Sequence, residues 1–269
     1  MRQQSSLARL LATAALTAIL AAGLGGCQTM SDITGSLSSK PEASSEANPH
    51  RAAEIYGERY RSDPKNAEAA LAYGQALRAS GQRSQAAAVL EQATIAHPGD
   101  KPLLAAYGRA LADNGNFQQA FDVLSRAHSP DNPDWRILSV QGAALDQLGR
   151  HEDARRYYAS ALKIVPDEPS VLSNLGLSYV LSKNLPKAEE VLRQAYATGR
   201  ADARVRQNLA LAIGLQGRFA EAEQIVRADL PAEEAAANVA YLKQMLNRKD
   251  EPRTGAVAKM PIASLNRPE

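Results

Sequence analysis

The chain has 269 residues, a length that fits one or two domains, and only 5% of them are aromatic although 45% are hydrophobic. Such a core is built mainly from Ala, Leu and Val at close helix contacts, which disfavours a β-sandwich or β-barrel. The formal net charge is +2, from 31 basic and 29 acidic residues, which gives no overall electrostatic footprint for nucleic acid. The single cysteine excludes an intrachain disulfide and the cysteine-based zinc motifs.

The N-terminal segment, residues 1–26, has the three-part layout of a secretory signal peptide. Arg2 and Arg9 lie in the basic start, and an apolar run continues to Leu24 before two glycines. The run covers residues 10–24, which is shorter than the roughly 20 residues that a membrane-spanning helix needs. We expect residues 1–26 to be removed, which leaves a mature chain with 29 basic and 29 acidic residues.

The residues at the end of this leader resemble the bacterial lipobox, which here reads Leu24, Gly25, Gly26 and Cys27. The resemblance implies that Cys27 is acylated and becomes the first residue of the mature chain. Gln28 stands where the inner-membrane sorting signal of this class has aspartate, which implies the outer membrane. Residues 27–48 are rich in Ser, Glu and Ala and lack apolar periodicity, so we expect a lipidated cysteine followed by a flexible tether.

A 34-residue period runs through the body of the chain. It is marked by a small residue that recurs five times, at Gly74, Gly108, Gly142, Gly176 and Ala210. An alanine follows each of these twelve residues later, at Ala86, Ala120, Ala154, Ala188 and Ala222. Larger apolar residues recur at helical spacing, so each unit is expected to form two helices that bury one stripe each. The five units are residues 67–100, 101–134, 135–168, 169–202 and 203–236.

This pattern of small and apolar residues resembles the tetratricopeptide repeat, in which two antiparallel helices approach closely and successive repeats stack. The resemblance implies an all-α, right-handed solenoid of about five helix pairs over residues 67–236. Residues 49–66 keep the register of a lone second helix, and residues 233–248 carry apolar side chains on one helical face, so we expect capping helices at both ends. Residues 249–269 contain three prolines and no apolar pattern, and we expect them to be disordered.

Several places depart from the repeat pattern, among them position 4 of the first unit, which is Ala70. Arg206 occupies position 4 of the fifth unit, where a bulky apolar side chain is usual, and Asp229 occupies position 27, where earlier units have alanine. In the fourth unit, Lys183 and Asn184 substitute for the glycine that punctuates the turn between the two helices. Terminal units face solvent on one side, so we expect departures in the fifth unit.

The sequence contains no recognisable catalytic or metal-binding motif. No histidine has a His or Cys partner at metal-ligand spacing, and there is no nucleophile elbow, phosphate-binding loop or zinc-protease motif. Adjacent carboxylates such as Glu189 and Glu190 fall on exposed helix faces and indicate a solvated surface. We therefore predict a protein that is not an enzyme and that uses no cofactor, metal, small-molecule substrate or nucleic acid.

In tetratricopeptide arrays, positions 2, 5, 6, 9, 12 and 13 of each first helix line the concave face. In the first three units these positions are mixed and polar, and they include Arg78, Arg109, Arg136 and Asp146. In the last two units they form an apolar strip with polar edges, made of Asn174, Leu177, Leu181, Arg204, Asn208, Leu211 and Leu215.

The strip is predicted to form a partner-binding groove together with Arg78, Arg109 and Arg136 on the same face. It suits an amphipathic or extended peptide, with the two asparagines bonding the peptide backbone and the leucines holding its side chains. The alternative is structural: Leu177, Val180 and Leu181 pack against a neighbouring helix or against the capping segment.

Residues 205–245 carry a narrower resemblance and read VRQNLALAIGLQGRFAEAEQIVRADLPAEEAAANVAYLKQM. This segment is similar to the TadD-type repeat lipoproteins of the tight-adherence (Flp) pilus assembly system. The resemblance implies an outer-membrane lipoprotein on the periplasmic face that supports pilus biogenesis, with a pilotin-like role toward the secretin or another assembly component. Two other classes stay open: a general envelope scaffold for outer-membrane protein insertion or peptidoglycan synthesis, and an enzyme.

Overall fold

The computed structural model describes residues 48–247, and this part of the chain forms twelve α-helices and no β-strand. Cys27 and the segments predicted to be a signal peptide and a disordered tail lie outside the described residues, as does the predicted tether up to residue 47. The helices are α1 (Pro49–Ser62), α2 (Ala67–Ala79), α3 (Arg83–Ala96), α4 (Lys101–Asp113), α5 (Phe117–Ala127), α6 (Trp135–Gln147), α7 (His151–Ile164), α8 (Pro169–Leu181), α9 (Leu185–Ala197), α10 (Ala203–Leu215), α11 (Phe219–Val226) and α12 (Ala232–Asn247).

The ten central helices form five pairs, each with a first helix of 13 residues and a second helix that packs back against it. The pairs are α2–α3, α4–α5, α6–α7, α8–α9 and α10–α11. One further helix packs at each end, α1 against α2 and α12 against α10 and α11. The all-helical repeat architecture predicted from the sequence period is confirmed.

The first helices all start at the same position of the repeat because a polar side chain caps each of them. The capping residue is the last one of the preceding unit, and its side-chain oxygen accepts a hydrogen bond from a backbone N–H of the first turn. The five caps, one for each unit, are Asn66, Asp100, Asp134, Glu168 and Asp202. The repeat therefore encodes its own helix starts.

The turn inside each pair requires one residue in the left-handed region of the backbone. Four pairs use glycine there, for example Gly149 at φ 76°. In the α8–α9 pair Lys183 adopts the same conformation, with φ 62°, although a side chain makes this region less favourable. The side chain of the next residue, Asn184, accepts a hydrogen bond from the N–H of Lys187 at 3.3 Å and caps α9.

Glycine at position 8 lets the two helices of a pair touch. A Cβ atom on Gly74, Gly108, Gly142 or Gly176 would lie between 2.4 and 2.6 Å from a side chain sixteen residues later, a distance that real contacts do not allow. Those facing side chains are Leu90, Leu124, Tyr158 and Leu192, and each is at most 1% exposed. The fifth pair has alanine at position 8 and the smaller Val226 at the facing position, both in one buried cluster.

The arrangement of the pairs creates an inner and an outer surface. Successive first helices contact one another along the row α2, α4, α6, α8 and α10. No comparable row of contacts joins the second helices within residues 48–247. Since the first helices are closer together than the second helices, the array curves with its first helices on the concave side.

The Gly176–Leu192 contact gives a direct test of this packing. Gly176→Ala is expected to lower the free energy of unfolding by about 1–3 kcal/mol because the added methyl group overlaps Leu192. The double variant Gly176→Ala, Leu192→Val copies the alanine–valine arrangement of the fifth pair and should recover part of the loss. Urea unfolding followed by circular dichroism measures both. A Gly176→Ala chain as stable as the unsubstituted one would contradict the close contact.

Candidate functional site

Four leucines follow one face of two neighbouring first helices on the concave side. Leu177 and Leu181 lie on α8, and Leu211 and Leu215 lie at the same repeat positions on α10. A spacing of four residues keeps each pair on one side of its helix. All four side chains are half-buried, and none belongs to the core clusters of the described chain. The leucines therefore form an apolar strip that solvent reaches.

Val180 has a different environment from its neighbours in sequence. Its side chain packs against the cluster that contains Leu209, Ile213 and Val226. The alternative that these side chains pack against a neighbouring helix therefore applies to Val180, which stabilises the interface between α8 and α10.

A small polar pocket lies next to the strip, between the N-terminal halves of α8 and α10. It is lined by Ser170, Ser173, Asn174, Asp202, Arg204 and Asn208. Asn174, Arg204 and Asn208 were predicted site residues, and the structure brings these three together. The two serines and Asp202 were missed. Asp202 sits at the capping position that is polar in every unit, a regularity that could have indicated its place beside the pocket.

The two asparagines connect successive repeats. Asn174 donates through Nδ2 to the Oγ atom of Ser139 at 3.1 Å, and Asn208 donates to Ser173 in the same way at 2.9 Å. Within residues 48–247 neither Oδ1 atom accepts a hydrogen bond. Each amide is therefore held by the preceding repeat and keeps an oxygen that can accept the backbone N–H of a ligand.

The arginines predicted for the groove have different partners. Arg78 donates to Asp113 at 2.6 Å, and the guanidinium of Arg136 lies 4.4 Å from the centre of the Trp135 ring. Arg204 is exposed and forms an ion pair with Asp202 at 3.3 Å. Each of these three guanidinium groups thus already contacts a carboxylate or an aromatic ring of the chain.

Arg109 is the exception among these arginines. It is half-buried on α4 and makes no side-chain hydrogen bond or ion pair within residues 48–247. Burial lowers the pKa of its guanidinium, the positive charges of Arg78 and Arg136 lower this pKa further, and Asp134 and Asp113 act in the opposite direction. An arginine remains charged despite such a shift, so Arg109 places in the row of first helices a cation that forms no ion pair within residues 48–247.

Asp146 occupies a concave-face position in the sequence pattern, but its side chain is only 6% exposed. Its carboxylate accepts hydrogen bonds from Tyr158 Oη at 2.9 Å, Ser178 Oγ at 2.7 Å and His151 Nδ1 at 2.8 Å. Burial raises the pKa of Tyr158 well above its ordinary value, and the charge of Asp146 raises it further. This network ties α6, α7 and α8 together, so Asp146 stabilises the array instead of lining the groove.

No group of three or more His, Cys, Asp or Glu side chains in residues 48–247 is placed to hold a metal ion. In the same range, every helix is too short or too polar to cross a membrane.

Comparison with protein families identifies the repeat. Models of the tetratricopeptide repeat match residues 126–169, 139–203 and 203–228. Residues 126–228 therefore match the tetratricopeptide repeat, the repeat that the sequence period predicts. Residues 46–127 match a model described as anaphase-promoting complex, cyclosome, subunit 3. No curated protein sequence matches the chain.

Several solved structures share this fold at low sequence identity. PilW, described as a widely conserved type IV pilus biogenesis factor, is 20% identical with a TM-score of 0.61, over 71% of this chain and 90% of PilW. Pseudomonas aeruginosa pilF is 17% identical with a TM-score of 0.53, over 74% of this chain and 97% of pilF. The Cut9–Hcn1 complex contains a chain that is 18% identical with a TM-score of 0.59, and the match covers 76% of this chain but 42% of that one.

The Asn208–Ser173 bond can be tested by a double-mutant cycle. Asn208→Ala and Ser173→Ala are each expected to lower the free energy of unfolding by about 0.5–1.5 kcal/mol, because each removes one end of the same hydrogen bond. The double variant should lose about as much as one single variant. Chemical denaturation provides the four values. Asn208→Ala combined with Ser139→Ala is the control, since these residues share no bond and their effects should add.

Proposed function

We propose that this protein is a lipid-anchored outer-membrane protein that holds a segment of a protein partner in its concave groove and supports assembly of a tight-adherence (Flp) pilus. The observation that carries the binding role is the strip formed by Leu177, Leu181, Leu211 and Leu215, half-buried and outside the core clusters. Apolar side chains in this state gain free energy when a partner removes their remaining exposed surface from water.

The groove supplies both kinds of contact that an extended or amphipathic segment requires. The leucines offer an apolar surface for alternate or i, i+4 side chains of the partner. The free Oδ1 atoms of Asn174 and Asn208 offer acceptors for its backbone N–H groups at one end of the strip. Hydrogen bonds to neighbouring repeats hold both amides in place, so little side-chain freedom is lost when the partner binds.

The anchoring role rests on the N-terminal sequence. Acylation of Cys27 would give durable membrane binding because each buried methylene contributes ~0.8 kcal/mol. Residues 28–48 would act as a tether with an end-to-end distance of about 25 Å by random-coil scaling. Such a tether leads directly into α1, which begins at Pro49.

The pilus role rests on the resemblance of residues 205–245 to TadD-type lipoproteins. This segment contains Leu211 and Leu215 of the strip together with most of α12. PilW, a type IV pilus biogenesis factor, shares the fold, which is compatible with a pilus-associated role for this chain. Within that role, we propose a pilotin-like interaction with the secretin, and we expect no catalytic turnover.

Anchoring predicts a change in location without a change in binding. Cys27→Ser should remove the chain from the outer-membrane fraction of its native host, because the acylated side chain is lost, and should leave partner binding intact. Sucrose-gradient fractionation of membranes with immunoblotting measures the distribution. Gln28→Asp is the matched control and should move a still-lipidated chain to the inner membrane. Retention of the Cys27→Ser chain in the outer membrane after a high-salt wash would contradict the anchor.

Groove binding predicts the reverse behaviour. Leu181→Asp with Leu211→Asp should keep the chain in the outer membrane and reduce cross-linking to its partner by about tenfold or more, as for other buried apolar anchors. The measurement is cross-linking of the tagged full chain in host membranes, followed by mass spectrometry. Ile95→Asp with Ile164→Asp is the matched control, because both are exposed and lie on second helices.

The recovered partner decides between the proposed roles. A pilus secretin or another pilus-assembly component supports the role proposed, whereas insertion or peptidoglycan machinery would support the general envelope scaffold instead. Circular dichroism confirms that the aspartate variant is folded, and Leu181→Gln with Leu211→Gln replaces it if it is not. Unchanged cross-linking by a folded variant would exclude the groove as the binding surface.

A further inference from the structure

One repeat position forms a continuous row along the groove. Position 9 of the first helix occurs once in every repeat, and successive first helices contact one another. The five members of this row are Gln75, Arg109, Ala143, Leu177 and Leu211. A segment that crosses the first helices along this row therefore meets an amide, a guanidinium, a small side chain and two leucines in order.

Arg109 is the charged member of the row, and the carboxylates nearest to it are already engaged. Asp113 accepts the Nε–H of Arg78 at 2.6 Å. Asp134 accepts the backbone N–H of Arg136 at 2.7 Å and so caps α6. Arg78 and Arg136 add further positive charge around Arg109. A half-buried cation with other cations close by favours the binding of a negatively charged ligand.

We infer that Arg109 binds an aspartate or glutamate side chain of the partner segment whose apolar side chains contact Leu177 and Leu211. The planar guanidinium can donate two parallel hydrogen bonds to one carboxylate, which gives both attraction and orientation. The inference rests on the proposed function, because it specifies the chemistry of the segment that occupies the groove.

The repeat geometry also sets the spacing of the recognised residues. Packed helices lie about 10 Å apart, so Arg109 and Leu177, two repeats apart, are separated by about 20 Å. An extended chain advances about 3.3 Å per residue, which places the acidic residue about six residues from the first apolar one. The second apolar residue lies opposite Leu211, two or four residues further along, because alternate side chains of an extended chain face the groove. Ala143 lies between them in the row and leaves room for the chain to pass.

A peptide selection tests this chemistry before any partner is identified. A phage library of random 16-residue peptides is selected on the full chain, and in parallel on Arg109→Gln, on Arg126→Gln and on Leu181→Asp with Leu211→Asp. Arg126 is an exposed arginine on α5, so its variant is the control for a loss of charge outside the groove. Sequencing gives the enriched residues and their spacing for each chain.

We expect peptides with an acidic residue about six positions from an apolar pair. The acidic preference should disappear on Arg109→Gln and persist on Arg126→Gln, while the apolar preference persists on both. Apolar enrichment without an acidic residue, or an acidic preference that Arg109→Gln leaves unchanged, overturns the inference and leaves the groove standing. If no peptide depends on Leu181 and Leu211, the groove itself is overturned, and this inference with it.

A binding measurement with one selected peptide tests the interaction between Arg109 and the acidic residue of the peptide. Fluorescence anisotropy compares the peptide with its Glu→Gln or Asp→Asn version on the full chain and on Arg109→Gln. The amide version should bind the unsubstituted chain about tenfold more weakly, as expected for the loss of a charge-assisted bond. The two versions should bind Arg109→Gln equally. A tenfold difference that persists on Arg109→Gln would assign the acidic residue to another contact.

Discussion

The contact between a position-8 glycine and the large side chain sixteen residues later sets the distance between the two helices in the first four pairs. In the pair that contains Gly142, the facing side chain is Tyr158, and its hydroxyl reaches Asp146 on the same first helix. Asp146 in turn binds Ser178 of the next repeat. The close helix contact therefore also positions the polar network that joins the third and fourth repeats. Since one face of each first helix packs against the second helix of its pair, the opposite face lines the groove.

The sequence period predicts most of this fold because the packing contacts recur at fixed positions. The period does not explain residues that break the pattern at two positions of one repeat and compensate for each other. Arg206 and Asp229 look like two separate defects in the pattern, yet Arg206 Nε donates to Asp229 Oδ2 at 2.7 Å and its Nη1 donates to the carbonyl oxygen of Ala201 at 2.6 Å. One ion pair thus replaces an apolar contact. Ala210 and Val226 compensate each other in side-chain volume. Ala210 is larger than the glycine at this position of the other first helices, and Val226 is smaller than the leucine or tyrosine that faces it there. A pattern that scores positions one at a time does not detect such pairs.

The groove was predictable in its apolar part and less so in its polar part. Repeat positions place Leu177 and Leu211 on the inner face, since this depends only on helical spacing. The environment of Val180 and Asp146 depends on what the adjoining repeat supplies. Val180 packs against a cluster that includes Ile213, and Asp146 accepts a hydrogen bond from Ser178. Hydrogen-bond partners between repeats, such as Ser173 for Asn208, depend in the same way on the stacking register, which a single-repeat pattern does not contain.

The interfaces between first helices change in character along the array. At positions 5 and 6 of the first repeats they are apolar, because Ala105 and Ala106 are buried and Leu71 and Val140 pack against the same hydrophobic cluster. In the last repeats the equivalent positions carry the Ser–Asn bonds described above. Apolar contacts tolerate small sliding movements, whereas hydrogen bonds constrain direction as well as distance. The bonds therefore hold α8 and α10 in a narrower range of orientations where the leucine strip lies. A partner segment that binds this strip meets leucines whose backbones are already positioned, so less of the binding free energy is spent on ordering the groove.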